Sequence, residues 1–362
     1  MDTAPTGTAT EDGITPAELR LAARNHGLPL EALRYPITPA GLHYLLIHYD
    51  IPDVDAASWR LSIDGAVRRP LALSLDDLRA RPRVTVAVTL ECAGNGRALL
   101  EPHVASQPWL LEAVGNAEWT GTPLRGVLED AGLDEAVEEV VLTGLDHGLD
   151  HEVEQDYQRS LPVGEVMRDD VLLAYEMNGA PLLPQHGFPV RAIVPGWYGM
   201  TQVKWLASIT AVTEPFEGFQ MTGSYRIWST DDDAEVGTAV ARIQPRSLMR
   251  PPGFPDFFTR HRIVDQGAVE LQGRAWSGFG PVDRVEVSVD DGATWRDARL
   301  GPLPDSSYAW REWSYRWAAE PGEHVLACKA TDATGTSQPA SAEWNRGGFQ
   351  NNSIQRVPVT VR

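Results

Sequence analysis

The stretch VAVTLECAGNGRALL (residues 86–100) places a run of β-forming residues directly before a cysteine and a Gly-Asn-Gly turn. Valine, threonine and leucine before Glu91 predict a strand, and the glycines predict that the strand ends there. Cys92 is one of only two cysteines in the chain. A lone cysteine is usually a small hydrophobic core residue, whereas a thiolate on an open turn is a ligand for a soft transition metal. The stretch alone leaves both interpretations open.

Two glycines and an arginine follow the cysteine and favour the second interpretation. Gly94 and Gly96 allow the backbone to approach a ligand closely, because neither carries a side chain. Arg97 favours a thiolate electrostatically and is suited to binding an anion. One protein ligand is too few for a zinc site, so a metal bound by Cys92 would take its other ligands from a cofactor.

Length and charge limit the classes of protein to consider. The 362 residues suggest two domains, and the net charge of −19 disfavours nucleic acid and anionic membranes as partners. No run of 18 apolar residues occurs, so no membrane span is expected. Cys92 and Cys328 are too far apart in sequence to form a CxxC metal pair or a disulfide framework. Since no signal peptide is visible either, we expect a reducing, cytoplasmic location.

The first 215 residues mix short helices and strands without a regular βαβ rhythm, which favours an α+β fold. Capping residues predict helices that begin after Thr15, Ser74 and Pro123. The acidic, histidine-containing segment 145–156 fits no standard metal site, and we interpret it as a solvated loop, apart from Asp146.

The sequence changes character after the Pro-rich segment 245–257, which is typical of a connection between domains. Short alternating runs follow it, and Asp290-Asp291-Gly292 is a strong hairpin signal. This pattern predicts a β-sandwich of immunoglobulin type, with Cys328 as a buried core thiol. The predicted division is an N-terminal extension (1–35), an α+β domain (36–235) and the sandwich (236–362).

The segment TLECAGNGR (89–97) resembles the molybdenum-ligand motif of the sulfite oxidase family, whose usual form is CAGNRR. Further segments resemble the family in the same order. They are ITPAGLHYLLIHYDIP (37–52), HGFPVRAIVPGWYG (186–199), VKWL (203–206) and WNRGG (344–348). The resemblance covers nearly the whole chain after residue 36. It implies a molybdopterin-binding domain followed by an immunoglobulin-like dimerisation domain, and therefore a homodimer.

The resemblance also implies an activity and a set of site residues. The implied activity is two-electron oxygen-atom transfer by a molybdenum–molybdopterin cofactor. The first expectation is oxidation of sulfite, or of a related sulfur compound, to sulfate. Cys92 matches the metal ligand, while Arg97 and Tyr225 match residues near the substrate. The residues that match cofactor-binding positions are His48, Asp146, His186, Arg191, Gln202, Val203 and Lys204.

Three positions depart from the family pattern. Leu46, Gly96 and Thr201 stand where the family often has arginine, so the pocket is expected to have lost positive charge that would bind an oxyanion. The tripeptide Arg24-Asn25-His26 lies ahead of the aligned segment, and it would supply an arginine only by folding back. These departures keep open a reductase of sulfoxides, N-oxides or nitrate. A more remote alternative is a non-catalytic interaction module built on the sandwich.

The expected electron acceptor is a separate molecule. The sequence contains no CxxCH motif for haem attachment, and the segment before residue 36 is too short for a cytochrome. We therefore expect no haem in this chain, and electrons would pass to a separate cytochrome or a small molecule.

Overall fold

The computed structural model describes residues 9–10, 13–229 and 236–362. The α-helices are short, and strands make up most of the regular secondary structure in the described part of the chain. The helices are α1 (Pro16–Ala22), α2 (Leu75–Arg79), α3 (Leu124–Ala131), α4 (Val163–Val166) and α5 (Phe219–Thr222). Single turns of 3₁₀ helix lie at Leu30–Arg34, Ala40–Leu42, Arg97–Leu99, Pro184–His186 and Gly199–Thr201.

The strands of the first half build the α+β domain, and those of the second half build the sandwich. The first half contains β1 (Ala9–Thr10), β2 (Leu61–Gly65), β3 (Leu71–Leu73), β4 (Val84–Glu91), β5 (His103–Val104), β6 (Val114–Pro123), β7 (Glu139–Asp150), β8 (Val153–Pro162), β9 (Leu172–Met177), β10 (Ala180–Pro181), β11 (Arg191–Ile193), β12 (Leu206–Val212), β13 (Arg226–Ile227) and β14 (Thr238–Ala239). The second half contains β15 (Arg246–Met249), β16 (Phe254–Pro255), β17 (Arg262–Val264), β18 (Gly267–Trp276), β19 (Val282–Ser288), β20 (Arg296–Asp297), β21 (Arg299–Leu300), β22 (Arg311–Ala319), β23 (Gly322–Asp332) and β24 (Gln355–Val361).

Two five-stranded sheets form the first domain. One has the order β10-β9-β6-β4, with β11 also paired to β9, and the other has the order β3-β2-β12-β7-β8. Inward-facing aliphatic residues of both sheets share one core with the apolar faces of α2 and α3. Asp146 lies on β7, Arg191 lies on β11 and Cys92 directly follows β4, so both sheets help to position the site.

The predicted helix starts are confirmed by their caps. Thr15 and Ser74 each accept a hydrogen bond from the backbone N–H three residues on, and the side chain there bonds back, which completes two capping boxes. Helix α3 begins directly after Pro123 and ends at Gly132, whose left-handed backbone (φ 71°) forms the C-cap. Local sequence therefore sets these three helices.

The interpretation of residues 145–156 as a loop is wrong. These residues form the end of β7 and the start of β8, which pair antiparallel around a turn where His151 and Glu152 have positive φ. Alternation is hidden there because both faces carry polar residues, and a β-bulge shifts the register between Thr143 and His147. The hairpin matters because it carries Asp146 into the site from β7.

The second half is the predicted β-sandwich. A four-stranded sheet (β15-β18-β22-β21) faces a six-stranded sheet (β16-β17-β24-β23-β19-β20) across an apolar core. The segment 245–257 is only partly a connection, because residues 246–249 form strand β15 and pair with β18. Trp310, Trp313 and Trp317 are buried, so they are core residues and supply no exposed aromatic surface for a dimer.

The N-terminal extension packs against both halves of the molecule. Glu18 of α1 is buried and bonds His103, while the carbonyl oxygen of Leu33 accepts a hydrogen bond from Arg274 of β18. The predicted boundary at residue 235 lies outside the described residues. Within the described ranges, no helix combines the length and apolar character that crossing a bilayer requires.

Candidate active site

Cys92 lies where strand β4 leaves its sheet. Its backbone N–H donates to the carbonyl oxygen of Ala113, directly before β6, and its own carbonyl oxygen accepts from the N–H of Asn95, which turns the chain immediately after the strand. The side chain is only 7% exposed, and burial raises the pKa of the thiol while the nearby Arg97 guanidinium opposes that rise. The thiol lines a pocket, as a metal ligand must and a plain core cysteine need not.

The pocket is a cleft that is partly open to solvent. About 680 Å³ of space, open solvent included, is not occupied by protein atoms there. Segments from both sheets and from the loops between them converge on it. The lining residues are His43, Tyr44, Leu45, Leu46, His48, Leu90, Cys92, Asp146, Tyr157, His186, Arg191, Gly199, Met200, Gln202, Lys204 and Tyr225.

One side of the pocket carries two neutral histidines and an arginine. Burial lowers the pKa of His43 to about 4 and that of His186 to about 3, and Arg191 contributes to both shifts. The two rings meet edge to face with centroids 5.8 Å apart. Arg191 donates to the carbonyl oxygens of His186 and Gln202 and lies 4.8 Å from the ring centroid of Trp119. It is therefore a buried cation and not the solvated face of a strand.

A carboxylate and an ammonium group face the pocket together. Burial raises the pKa of Asp146 and lowers that of Lys204, while their mutual attraction opposes both shifts. Lys204 Nζ donates to the carbonyl oxygens of Leu46 and Gln185 at 2.8 and 3.3 Å. A side chain at Gly144 would collide with Asp146 Oδ1, so this glycine is needed for the carboxylate to lie here.

The remaining predicted cofactor residues occupy different positions. His48 lines the pocket and its Nε2 lies 3.4 Å from Asp150 Oδ2. The Gln202 side chain bonds only backbone groups, among them both polar atoms of Val194, so it shapes the wall. Val203 is buried in the hydrophobic core behind that wall.

The glycines after Cys92 make room for protein groups. A side chain at Gly94 would collide with the guanidinium of Arg97, and one at Gly96 would collide with Asn351 of the second domain. Gly96 also has a left-handed backbone (φ 93°), which glycine adopts without strain. The prediction that these glycines give access to a ligand is therefore wrong, and the turn is filled from the protein side.

Arg97 lies beyond the lining of the pocket. Its Nε donates to the carbonyl oxygen of Gly347 at 3.0 Å, its NH1 donates to that of Gln107 at 3.3 Å, and its guanidinium lies 5.0 Å from the ring centroid of Phe349. Phe349 in turn stacks on Tyr225, with centroids 5.2 Å apart. Arg97 thus reaches the site through two aromatic rings.

Tyr225 lines the pocket from a strained backbone. Its φ is +50°, a conformation that costs energy for a residue with a side chain and that occurs often at functional sites. Burial raises the pKa of its phenol to about 12, the Cys92 thiol adds to the rise, and Arg159 opposes it. The phenol is therefore neutral near pH 7 and available as a hydrogen-bond donor.

The sandwich domain holds the loop that carries Cys92. Glu91, the residue before the cysteine, is fully enclosed and accepts a hydrogen bond from Trp276 Nε1 at 2.7 Å, while Arg246 NH1 lies 3.1 Å from its other oxygen. The N–H of Gln350 bonds the carbonyl oxygen of Ala93. Residues of the second domain thus fix both sides of the metal-ligand position.

The tripeptide Arg24-Asn25-His26 does fold back. His26 forms a β-bridge with Leu45, and Asn25 accepts a hydrogen bond from the N–H of Ile47. Arg24 itself is exposed and donates to the carbonyl oxygen of Tyr49. The tripeptide therefore supports the entry segment from outside and places no arginine in the pocket.

Sequence reasoning missed three residues near the pocket. His43 was hidden because a histidine in an apolar run has no distinctive pattern. Tyr157 and Arg159 alternate inward on β8, and the sequence YQRSLP (157–162) carried that period-2 signal. No strand was predicted there because the start of β8, up to residue 156, was interpreted as a loop.

The residues present fit a bulky cofactor that brings its own metal ligands. Among the described residues, no group of three or more His, Cys, Asp or Glu side chains could hold a metal ion alone. Three buried polar atoms of pocket residues have no partner within the protein: His43 Nε2, Asp146 Oδ1 and Arg191 Nε. Unpaired buried donors and acceptors are costly, so they fit a polar molecule in the pocket, and Cys92 is the thiol in the lining that could bind its metal.

This fold and site define a molybdopterin-binding oxidoreductase domain joined to a dimerisation domain. The family model "oxidoreductase molybdopterin binding domain" matches residues 48–220, and the model "Mo-co oxidoreductase dimerisation domain" matches residues 255–362. Chicken (Gallus gallus) sulfite oxidase is 35% identical over 349 residues, which cover 88% of this chain and 72% of that protein. The chain belongs to the sulfite oxidase family.

Other relatives are enzymes with different names. Mitochondrial sulfite oxidase of Mus musculus is 35% identical over 90% of this chain, and the chain spans 62% of its length. Nitrate reductase (NADH) 1 of Oryza sativa subsp. japonica is 32% identical over 90% of this chain and 38% of that protein. The crystal structure of sulfane dehydrogenase SoxCD from Paracoccus pantotrophus superposes with a TM-score of 0.79 and 26% identity, and it covers 100% of this chain and 96% of that one.

Proposed function

We propose that the protein is a molybdenum-cofactor oxidoreductase that oxidises a small sulfur-containing anion, above all sulfite to sulfate. The observation that carries this proposal is the Cys92 thiol in a pocket whose His43 Nε2 and Asp146 Oδ1 lack partners. When bound, the molybdenum–pterin group supplies the two-electron chemistry, in which sulfite gains an oxygen atom from water and two electrons leave.

The protein's own residues hold and orient the reactants. Cys92 binds the metal as a thiolate, which the nearby Arg97 charge favours against the effect of burial. Arg191 and Lys204 give their side of the pocket two positive charges, suited to the phosphate of a pterin. His48, Asp146 and His186 bind the polar edges of the cofactor, and Tyr225 donates to the substrate.

The test combines metal analysis with an assay. Protein made in a host that supplies the cofactor is expected to contain about one molybdenum and one pterin per chain, and to reduce ferricyanide with sulfite. Protein that folds in such a host but carries neither molybdenum nor pterin would refute the cofactor. Loaded protein that oxidises no sulfite would refute the substrate.

A second candidate is a reductase of neutral oxygen donors such as sulfoxides. The observation that favours it is Leu46, an apolar residue in the pocket lining at a position where the family often has arginine. A neutral substrate needs no cation there. Reduced viologen with a sulfoxide, compared with ferricyanide and sulfite on the same preparation, separates the two directions.

The assembly and electron path are part of the same proposal. The match of residues 255–362 to a dimerisation domain supports a homodimer, and a monomeric mass in solution would refute it. Electrons would pass to an acceptor outside these 362 residues, either a cytochrome or a small molecule. A cytoplasmic location fits the two free thiols of Cys92 and Cys328, and cell fractionation tests it.

A further inference from the structure

Tyr225 lies in a stack of four side chains that begins and ends with a guanidinium. Arg97 lies 5.0 Å from the ring centroid of Phe349, Phe349 and Tyr225 stack at 5.2 Å, and Arg159 lies 5.5 Å from the ring centroid of Tyr225. The order is therefore cation, ring, ring, cation. Only the Tyr225 ring lines the pocket, so the two cations approach it from behind.

Arg159 reaches this position from strand β8. Residues 157, 159 and 161 alternate inward along the strand, and Arg159 is 2% exposed. Its NH1 donates to the carbonyl oxygen of Gln220, and its Nε has no partner. The side chain is thus held beside Tyr225, and its Nε–H group remains without an acceptor.

Arg159 has no ion-pair partner among the residues that the structure describes. Within the same ranges, neither Arg159 nor Arg97 has a carboxylate oxygen within 4.0 Å, whereas the equally buried Arg246 lies 3.1 Å from Glu91. Burial lowers the pKa of Arg159, and Glu139 opposes that shift only from beyond this distance. Burying a cation without a counter-ion in contact is costly, and an anion bound in front of Tyr225 would offset part of that cost.

We propose that Arg159 is a positioning residue that supplies, through Tyr225, the positive charge for a small anionic substrate, in place of the arginines absent at positions 46 and 96. This inference rests on the proposed function and narrows its substrate to oxyanions of sulfur. Leu46 leaves an apolar side chain in the pocket lining where the family often has arginine, and Arg159 restores a positive charge from β8. The pocket therefore still favours anions, but the positive charge comes from position 159 and not from positions 46 and 96.

The test measures anion binding separately from turnover. Arg159→Gln in the molybdenum-loaded protein is expected to raise the Kd of sulfate, a non-reacting anion, by about ten- to hundredfold in calorimetry at constant ionic strength, as removal of a buried positive charge that acts across the Tyr225 ring predicts. The KM for sulfite should rise by a similar factor with little change in kcat. A sulfate Kd and a sulfite KM equal to those of the wild type would overturn the proposal.

Two further variants separate charge from structure. Arg262 is also buried and is held by three backbone carbonyl groups, but it lies in the sandwich, so Arg262→Gln should leave the sulfate Kd unchanged. A rise there equal to that of Arg159→Gln would overturn the assignment. Arg159→Lys keeps the charge without the planar stack, and it is expected to weaken sulfate binding by only about threefold. If Arg159→Gln does not fold, Arg159→Met, which keeps an unbranched side chain without the charge, replaces it, and an unchanged sulfate Kd in Arg159→Met overturns the proposal.

Failure of this inference and failure of the proposed function give different results. A wild-type protein that binds sulfate through Arg159 but oxidises no sulfite refutes the function and supports the anion site. A protein that oxidises sulfite with a KM independent of Arg159 supports the function and overturns the anion site.

Discussion

The molecule places the same side chain in two buried settings with opposite consequences. Cys328 lies in the middle of β23, paired to β19 and β24, is fully buried, and has its pKa raised to about 12 because nothing charged opposes desolvation. Cys92 is almost as buried, but it lies at the end of β4, beside Arg97 and facing a pocket. Burial alone therefore does not distinguish the two thiols. They differ in their position along a strand and in the charge beside them.

Cys92→Ser should have the largest effect. A hydroxyl is a poor ligand for a soft metal, so we expect turnover of sulfite to fall on the order of a thousandfold while the fold is kept. Molybdenum analysis, circular dichroism and steady-state assays check this together. Wild-type activity in this variant would show that Cys92 has no role in turnover and that both cysteines are core thiols.

Acid should lower the stability of the folded protein through His43 and His186, the two buried histidines of the pocket. The folded pKa values of His43 and His186, about 4 and about 3, lie below the usual value near 6.5. The unfolded chain therefore binds more protons below pH 6.5, and stability present above that pH is lost as the pH falls towards 4. Each histidine contributes about 1.4 kcal/mol per pH unit.

The difference between wild type and His43→Gln isolates this acid effect. Asp146 has a raised pKa and contributes with the opposite sign, but it is common to both proteins and cancels. Urea unfolding of cofactor-free protein between pH 7 and pH 4.5 should show the wild type losing stability relative to the variant. Parallel curves would show that His43 is protonated as easily in the folded chain as in the unfolded one.

Trp276→Phe should weaken the link between the two domains at Cys92. The change removes the donor to Glu91 Oε2 and leaves a buried carboxylate oxygen short of a partner, at a cost of about 2 kcal/mol. We expect the electron paramagnetic resonance spectrum of the bound metal to change as well, because the adjacent thiolate is less firmly held.

Trp310→Phe is the matched control for that variant. Trp310 is similarly buried and donates at 2.7 Å to the carbonyl oxygen of Pro36, away from the Cys92 loop. It should lose stability without changing the metal spectrum. Identical spectra in the two variants would argue that Glu91 has no influence on the metal ligand.

Cys328→Ser should have the smallest effect. The new hydroxyl lies near the carbonyl oxygen of Ser247, which the Cys328 sulfur already approaches at 3.6 Å, so the cost of about 1 kcal/mol is that of burying a more polar group. Turnover should equal that of the wild type. A loss of activity comparable to that of Cys92→Ser would contradict the distinction between the two thiols.

Local signals in the sequence predicted the framework well. The capping box at Thr15, the strand before Cys92 and the hairpin at Asp290 depend on neighbouring residues, and all three are found. The motif around Cys92 and the resemblance it carries also identified the family. These features are readable because each depends on a few adjacent residues.

The rest depends on contacts between residues distant in sequence. Arg97 was expected at the substrate, yet its partners are Gly347 and Phe349, some 250 residues away. Arg159 gave no motif, because an arginine on an alternating strand is ordinary until the fold places it beside Tyr225. Burial and charge at a site are properties of the folded chain, and the sequence pattern reports them only indirectly.

The bracing of the Cys92 loop by residues 347–351 also has a consequence for the order of events during synthesis. The loop leaves the ribosome long before the residues that close over it, since Gly347 follows Arg97 by 250 residues. Domains generally fold in that order, the N-terminal one first. Until the later segment arrives, the turn around Cys92 lacks its hydrogen-bond partners at Ala93 and Gly96. A chain that stops before residue 347 is therefore expected to hold the turn after Cys92 less firmly.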